Sequence, residues 1–134
     1  MQLIVMPDYF IALVTQYCGA MNEDQAARYA KSVVDAWYFT LPKEKQDALI
    51  KLLPDYLRPK KQLFLFSRKQ NNSIDQSKIF ISRLMIDLSK SSPDEAEYIA
   101  SGIMKSLKVI SSPEKKFALS KLFDDKLLEL YIQA

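Results

Sequence analysis

The sequence has no histidine, one cysteine and two glycines among its 134 residues. The lack of histidine excludes Ser-His-Asp and Cys-His catalysis, histidine-ligated metals and histidine-based pH switching. A lone Cys18 cannot close an intramolecular disulfide. A cysteine-bridged secreted scaffold is therefore excluded, and a reducing compartment is the simpler expectation. Two glycines cannot build Gly-rich phosphate loops or linker-like stretches. No uncharged apolar run reaches about 18 residues, so no transmembrane helix is expected. The start, Met1-Gln2-Leu3-Ile4-Val5-Met6-Pro7-Asp8, lacks a positive n-region, and Asp8 interrupts its apolar run, so it does not read as a signal peptide. Thr15-Gln16-Tyr17 lacks the small residues that a lipoprotein cleavage before Cys18 needs. A cytoplasmic protein is expected.

What is present is ordinary for a globular chain, with 49% hydrophobic and 26% charged residues. The length suits one domain, residues 1–134, able to bury a core without staples.

Sliding the chain against itself by about 70 residues gives a gapless internal match. Phe10 and Ile11 fall on Phe80 and Ile81. Asp24, Ala26 and Ala30 fall on Asp94, Ala96 and Ala100. Glu44, Lys45, Ala48, Leu49, Lys51 and Leu52 fall on Glu114, Lys115, Ala118, Leu119, Lys121 and Leu122. Asp55 and Leu57 fall on Asp125 and Leu127. Conservative pairs join them, such as Val14 with Leu84 and Trp37 with Leu107. The expected organisation is a repeat unit over 8–57, a basic connector over 58–75 and a second unit over 76–131.

Each unit reads as three helices. Phe10, Leu13, Val14 and Tyr17 recur at i, i+3, i+4 and i+7, one helical face, and Gly19 suits a C-cap. Asn22 with Gln25 resembles a capping box for a second helix bearing Ala26, Ala30, Val33 and Trp37. Pro42 interrupts that helix. The third carries Leu49, Leu52 and Leu53 up to Pro54. In the second unit, Ser73 through Gln76 offers a capping box before a helix with Phe80, Arg83, Leu84 and Leu88. Ser92-Pro93-Asp94-Glu95 and Ser112-Pro113-Glu114 each combine a cap with proline at the first helical position. The last helix is expected to run continuously through Leu119, Leu122, Phe123, Leu127 and Leu130. The matched alanines, with Gly102, sit where small side chains let a neighbouring helix approach. The predicted fold is all-α, a six-helix bundle of two pseudo-repeated three-helix units. The one β-like run is Leu63-Phe64-Leu65-Phe66.

Each unit opens with a helix bearing Phe and, four residues on, Val or Leu. An acidic-Ala helix start follows, Asp24-Gln25-Ala26 or Asp94-Glu95-Ala96. The first unit continues to Leu53-Pro54-Asp55-Tyr56-Leu57-Arg58. Over roughly residues 8 to 131 this resembles a small bacterial all-helical domain-of-unknown-function family, whose two tandem helical units end in Leu-Pro-x-x-Leu-Arg. The second unit departs from that pattern, having Leu122-Phe123-Asp124-Asp125-Lys126-Leu127 without the proline, and Ser89 where glycine is common. The resemblance implies a bacterial helical fold and no activity, so no functional residues carry over.

The candidate contacts lie mainly in the connector. Residues 58 to 70 hold five basic and no acidic side chains: Arg58, Lys60, Lys61, Arg68 and Lys69. The remainder has 14 basic against 16 acidic residues, so the formal net charge of +3 originates in this segment. Basic residues interleaved with Phe64 and Phe66 suit phosphate backbones or an anionic membrane surface. The plainer account is that Leu63 to Phe66 tuck under the helices and the charges keep the loop hydrated. Tyr9, Tyr38 and Tyr56, with Phe64 and Phe66, are candidate interface aromatics. Tyr38 matches Lys108 and is expected to face outward. Cys18 reads as a small packing residue, since neither a cation nor a helix N-terminus adjoins it. The acids Glu23-Asp24 and Asp94-Glu95-Glu97 fit helix starts better than metal or acid-base sites. Asp124-Asp125 lacks calcium-loop spacing. No catalytic residue, metal, cofactor or small-molecule substrate is indicated. The expected function is a non-catalytic protein acting through protein contacts or self-association, as an adaptor, regulator or complex subunit. The alternative is an anion-binding module contacting nucleic acid or acidic membrane through residues 58–70.

Overall fold

The computed structural model describes residues 6–59, 76–123 and 125–134. Most of these residues are helical, and none of them forms a strand. The order is α1 (Asp8–Cys18), α2 (Glu23–Thr40), α3 (Lys43–Leu52), a 3-10 turn (Asp55–Leu57), α4 (Gln76–Leu88), α5 (Pro93–Ile110), α6 (Pro113–Ser120) and α7 (Asp125–Gln133). The β-like run at 63–66 lies outside the described residues.

Local chemistry sets most boundaries. Gly19 ends α1 at φ 67°, where its N–H donates to the Thr15 carbonyl (3.1 Å). Asn22 Oδ1 accepts from the Gln25 N–H (2.8 Å), and Gln25 Oε1 accepts from the Met21 N–H (2.7 Å). The reciprocal cap of α2 thus forms, with its return bond one residue earlier than in the standard box. Pro42 sits at the start of α3, and Gln46 Nε2 donates to the Tyr38 carbonyl (2.7 Å), which also accepts from the Leu41 N–H (3.3 Å) at the end of α2. Ser112 caps α6 through the Lys115 N–H (3.2 Å). Ser92 stands at the equivalent place before α5, but its side chain makes no cap bond.

Ser89 occupies the left-handed region at φ 55°, although it carries a side chain. Its N–H donates to the Ile86 carbonyl (3.2 Å), and the Lys90 N–H donates to the Met85 carbonyl (2.9 Å). Together these are the two bonds of a Schellman end, so α4, like α1, ends on a left-handed residue, although α1 uses the single bond of the simpler left-handed cap.

Two expectations about the helices change. The last segment is two helices, giving seven in place of six among the described residues. The chain tightens through i to i−3 bonds, Lys121 N–H to Ala118 and Leu122 N–H to Leu119, and α6 stops. This break lets Phe123 enter the core, 5.1 Å from Trp37 and 5.5 Å from Tyr131, measured between ring centroids. In α1 the buried face also turns slightly. Phe10, Ile11, Val14 and Cys18 are buried, while Leu13 and Tyr17 are half-buried.

The centre is aromatic. Trp37 stacks on Phe80 (6.1 Å, 18°) and meets Phe123, whose other neighbour is Tyr131. Val33, Val34, Ala96, Ala100, Ile103, Leu107, Leu119 and Leu127 complete the packing. Each large apolar side chain removed from water contributes about 1.5–3 kcal/mol. The helices interleave across the chain: α1 lies mainly against α5, α2 against α4, and α3 meets α6.

Gly102 explains how closely α1 and α5 approach. A Cβ built there falls 2.5 Å from Cys18 Sγ and 2.7 Å from the Tyr17 carbonyl oxygen. The expected packing role for Gly102 is therefore what the structure shows. Buried Ser106 donates its hydroxyl to the Gly102 carbonyl (2.8 Å), so no polar group is stranded in this seam.

Candidate functional site

The sequence-derived candidates scatter over the molecule. Lys60, Lys61, Arg68, Lys69, Phe64 and Phe66 lie outside the described residues. Arg58 is half-exposed and tied to its own turn. Its Nη1 lies 2.8 Å from Asp55 Oδ1, and its Nε donates to the Leu53 carbonyl (3.2 Å).

Of the three tyrosines, only Tyr9 is exposed. Tyr38 is buried, which corrects its expected outward position. The last turns of α2 are enclosed on nearly every side, with Val33, Val34, Ala36, Trp37, Tyr38 and Thr40 all buried. A helix buried all round cannot be divided into faces by periodicity alone. Burial, and then the nearby Asp47 carboxylate, push the Tyr38 phenol above its ordinary value. Tyr56 turns inward and is half-buried, its ring tilted against Phe10 at 5.5 Å. Burial and the adjacent Tyr9 hydroxyl hold its phenol well above the usual range. Tyr56 thus packs partly against the core.

Cys18 packs as expected. Its thiol donates to the Ile99 carbonyl (3.4 Å), and burial pushes it up to about 12. A protonated, buried thiol is a poor nucleophile. Glu23, Asp24, Asp94 and Glu95 sit in the first turns of α2 and α5. Among the described residues, no three acids or cysteines are grouped to hold a metal ion. The pair Asp124-Asp125 is not part of that description.

Two concave surfaces border α4. One groove of about 630 Å³ runs between α4, the start of α5 and α7. Ile81, Met85, Leu127 and Leu130 form its apolar wall, and Lys78, Lys126, Glu97 and Glu129 stand at its rim. A second, of about 490 Å³, lies on the other flank of α4, where the helix meets Phe39 near the end of α2. Ile79, Ile86, Ser82, Arg83 and Asp87 line it, with Lys78 at one end. Both volumes fall in the range of ligand and peptide pockets.

The second groove contains the least expected side chain. Arg83 lies over the Phe39 ring, its guanidinium carbon 4.0 Å from the centroid. Its Nε is shielded from water and has no hydrogen-bond partner. No described carboxylate forms an ion pair with it. Nearby, Asp35 is half-buried and held above its ordinary value. Burial is the main cause and the Asp87 carboxylate adds to it, while Lys31 and Arg83 oppose. Arg28 Nη2 reaches the Asp87 carbonyl from α2 (3.5 Å). Beside this cluster Ile86 is 77% exposed, which is high for a branched aliphatic side chain.

The Arg83 cluster was not anticipated as a site, although a signal existed. In the internal match, Arg83 stands opposite Leu13 and Ile86 opposite Gln16. Polar and apolar character are exchanged between these matched positions.

No helix among the described residues is long and apolar enough to cross a membrane. No family model, curated protein or solved structure matches the chain.

Proposed function

We propose that this is a non-catalytic helical protein that works through protein contacts, as an adaptor, regulator or complex subunit, on a duplicated scaffold of the two-unit helical family it resembles. The observation that carries the reading is Ile86, exposed beside the groove formed with Phe39 and Ile79. An apolar groove with a charged rim on a well-packed body suits a protein partner. Met21, Phe117 and Ile132 add further exposed apolar side chains elsewhere.

Three features support the duplication. The starts of α2 and α3 lie 70 residues before those of α5 and α6, and the 3-10 turn starts 70 before α7. The main packing is reciprocal, since exchanging the units turns the α1–α5 contact into α4–α2. The left-handed residues Gly19 and Ser89 keep the same spacing.

Affinity capture from native extract tests the reading. It uses the wild-type chain and a variant with Arg58, Lys60, Lys61, Arg68 and Lys69 changed to serine, each with and without nuclease. Retention of the same protein by both chains after nuclease is expected. Loss of capture with nuclease or in the variant transfers the function to the basic segment and to an anionic partner, because phosphate contacts depend on those cations.

A further inference from the structure

The geometry points to the groove between α4 and the end of α2 as the docking site for an acid-bearing apolar peptide segment of a partner protein. This rests on the protein-contact function proposed above and names the surface and the chemistry of its occupant.

Charge complementarity selects the occupant. Lys78 and Arg83 stand along the groove, and Arg28 reaches its Asp87 end. Against them is Asp87, with half-buried Asp35 within electrostatic reach of Arg83 and Asp87. The 630 Å³ groove has two lysines and two glutamates on its rim and favours no sign of partner. Arg83 is suited to receive a carboxylate. In its resting position it rests on Phe39, and its Nε meets neither an acceptor nor water. A guanidinium that turns to an incoming carboxylate gives up the ring contact but no hydrogen bond at Nε. It gains a two-point, charge-assisted pair. Ile79, Ile86 and Phe39 supply the apolar floor for residues flanking that acid. An apolar floor with one oriented charge is how grooves read short segments.

The test uses the full chain and a displayed library of peptides about 12 residues long. Apolar positions are Leu, Ile or Phe, and the others vary among Asp, Glu, Gln, Ser and Lys. Selected peptides are expected to carry an acid between apolar residues. A synthetic representative should bind Arg83→Gln and Ile86→Ser about tenfold or more weakly than wild type, in line with losing a charge-assisted pair or an apolar anchor. Ile132→Ser, on α7, should bind like wild type. Circular dichroism and thermal unfolding establish that each variant folds, and exposed Ile86 is chosen because its loss leaves the core intact. Equal binding by all variants overturns this groove and leaves the protein-contact function standing. Selection of basic or uncharged peptides, or no enrichment, overturns the acid-reading site, while the capture experiment judges the broader function independently. Dimerisation abolished by Ile86→Ser would overturn the foreign peptide in favour of a second copy of the chain.

Discussion

The α1–α5 and α2–α4 seams are built from matched positions but are finished differently. At the first, Gly102 lies against Cys18 and the Tyr17 backbone so closely that no methyl group fits. At the second, the matching residues are Ser32 and Leu88, and the seam holds Arg83 on Phe39 with Asp35 and Arg28 nearby. One seam is shut by a missing side chain. The other is bordered by charged ones and by a groove. On the duplicated scaffold proposed above, one contact holds the molecule together while its counterpart diverges. A polar cluster that is only partly satisfied would be costly in the sole seam of a small domain. It is tolerable beside a dry, well-packed one.

The comparison can be broken at its shared centre first. Phe80→Ala should cost about 3–5 kcal/mol in denaturant unfolding, and so should Phe10→Ala, because each ring is fully buried and the two positions match in the internal alignment. A cost confined to one of them would mean that the halves do not share the core equally. The next test separates the seams. Gly102→Ala should lose about 2 kcal/mol, overpacking outweighing the gain in helix propensity. Ser32→Ala at the matched position should change stability by less than about 0.5 kcal/mol.

Alkaline pH probes the closed seam. The Cys18 thiol is raised from 9.0 to about 12 in the folded chain, so it keeps its proton where the unfolded chain has released it. Its contribution is complete below about pH 9 and is lost as pH rises toward 12. The stability difference between wild type and Cys18→Ala should therefore shift against wild type by about 1 kcal/mol per pH unit above 9. A difference that stays constant from pH 8 to about 11 would refute this. The smallest effect is at the helix ends. Ser89→Gly should stabilise by about 0.5–1 kcal/mol, relief of the left-handed strain exceeding the entropy cost of glycine. Gly19→Ala should do the opposite, since its φ of 67° disfavours a side chain.

The helices were legible because their punctuation is local. Gly19, Asn22, Pro42, Pro54 and the Ser112-Pro113 pair each act within one turn of chain, and the structure uses each at or beside a helix end. The α6–α7 break was not legible. Lys121-Leu122-Phe123 contains no glycine or proline, and the interruption comes from the packing of Phe123 against Trp37 and Tyr131. Tyr38 was misplaced for a related reason, since α2 is covered on several sides by helices that its own periodicity does not reveal. The Arg83 groove depends on Phe39, distant in sequence, so nothing local announced it. The composition of the connector was plain, but four of its five cations lie outside the described residues.

The interleaving of the helices has a consequence for how the chain can be divided. Because α1 and α2 find their main neighbours in α5 and α4, a cut between Pro59 and Gln76 would not release two independent modules. Each fragment would carry apolar helices whose natural cover is on the other piece. The two should be poorly ordered apart and reassemble on mixing, with an association that depends on concentration where the intact chain needs only loop closure. The protein is in that sense a heterodimer written as a single polypeptide.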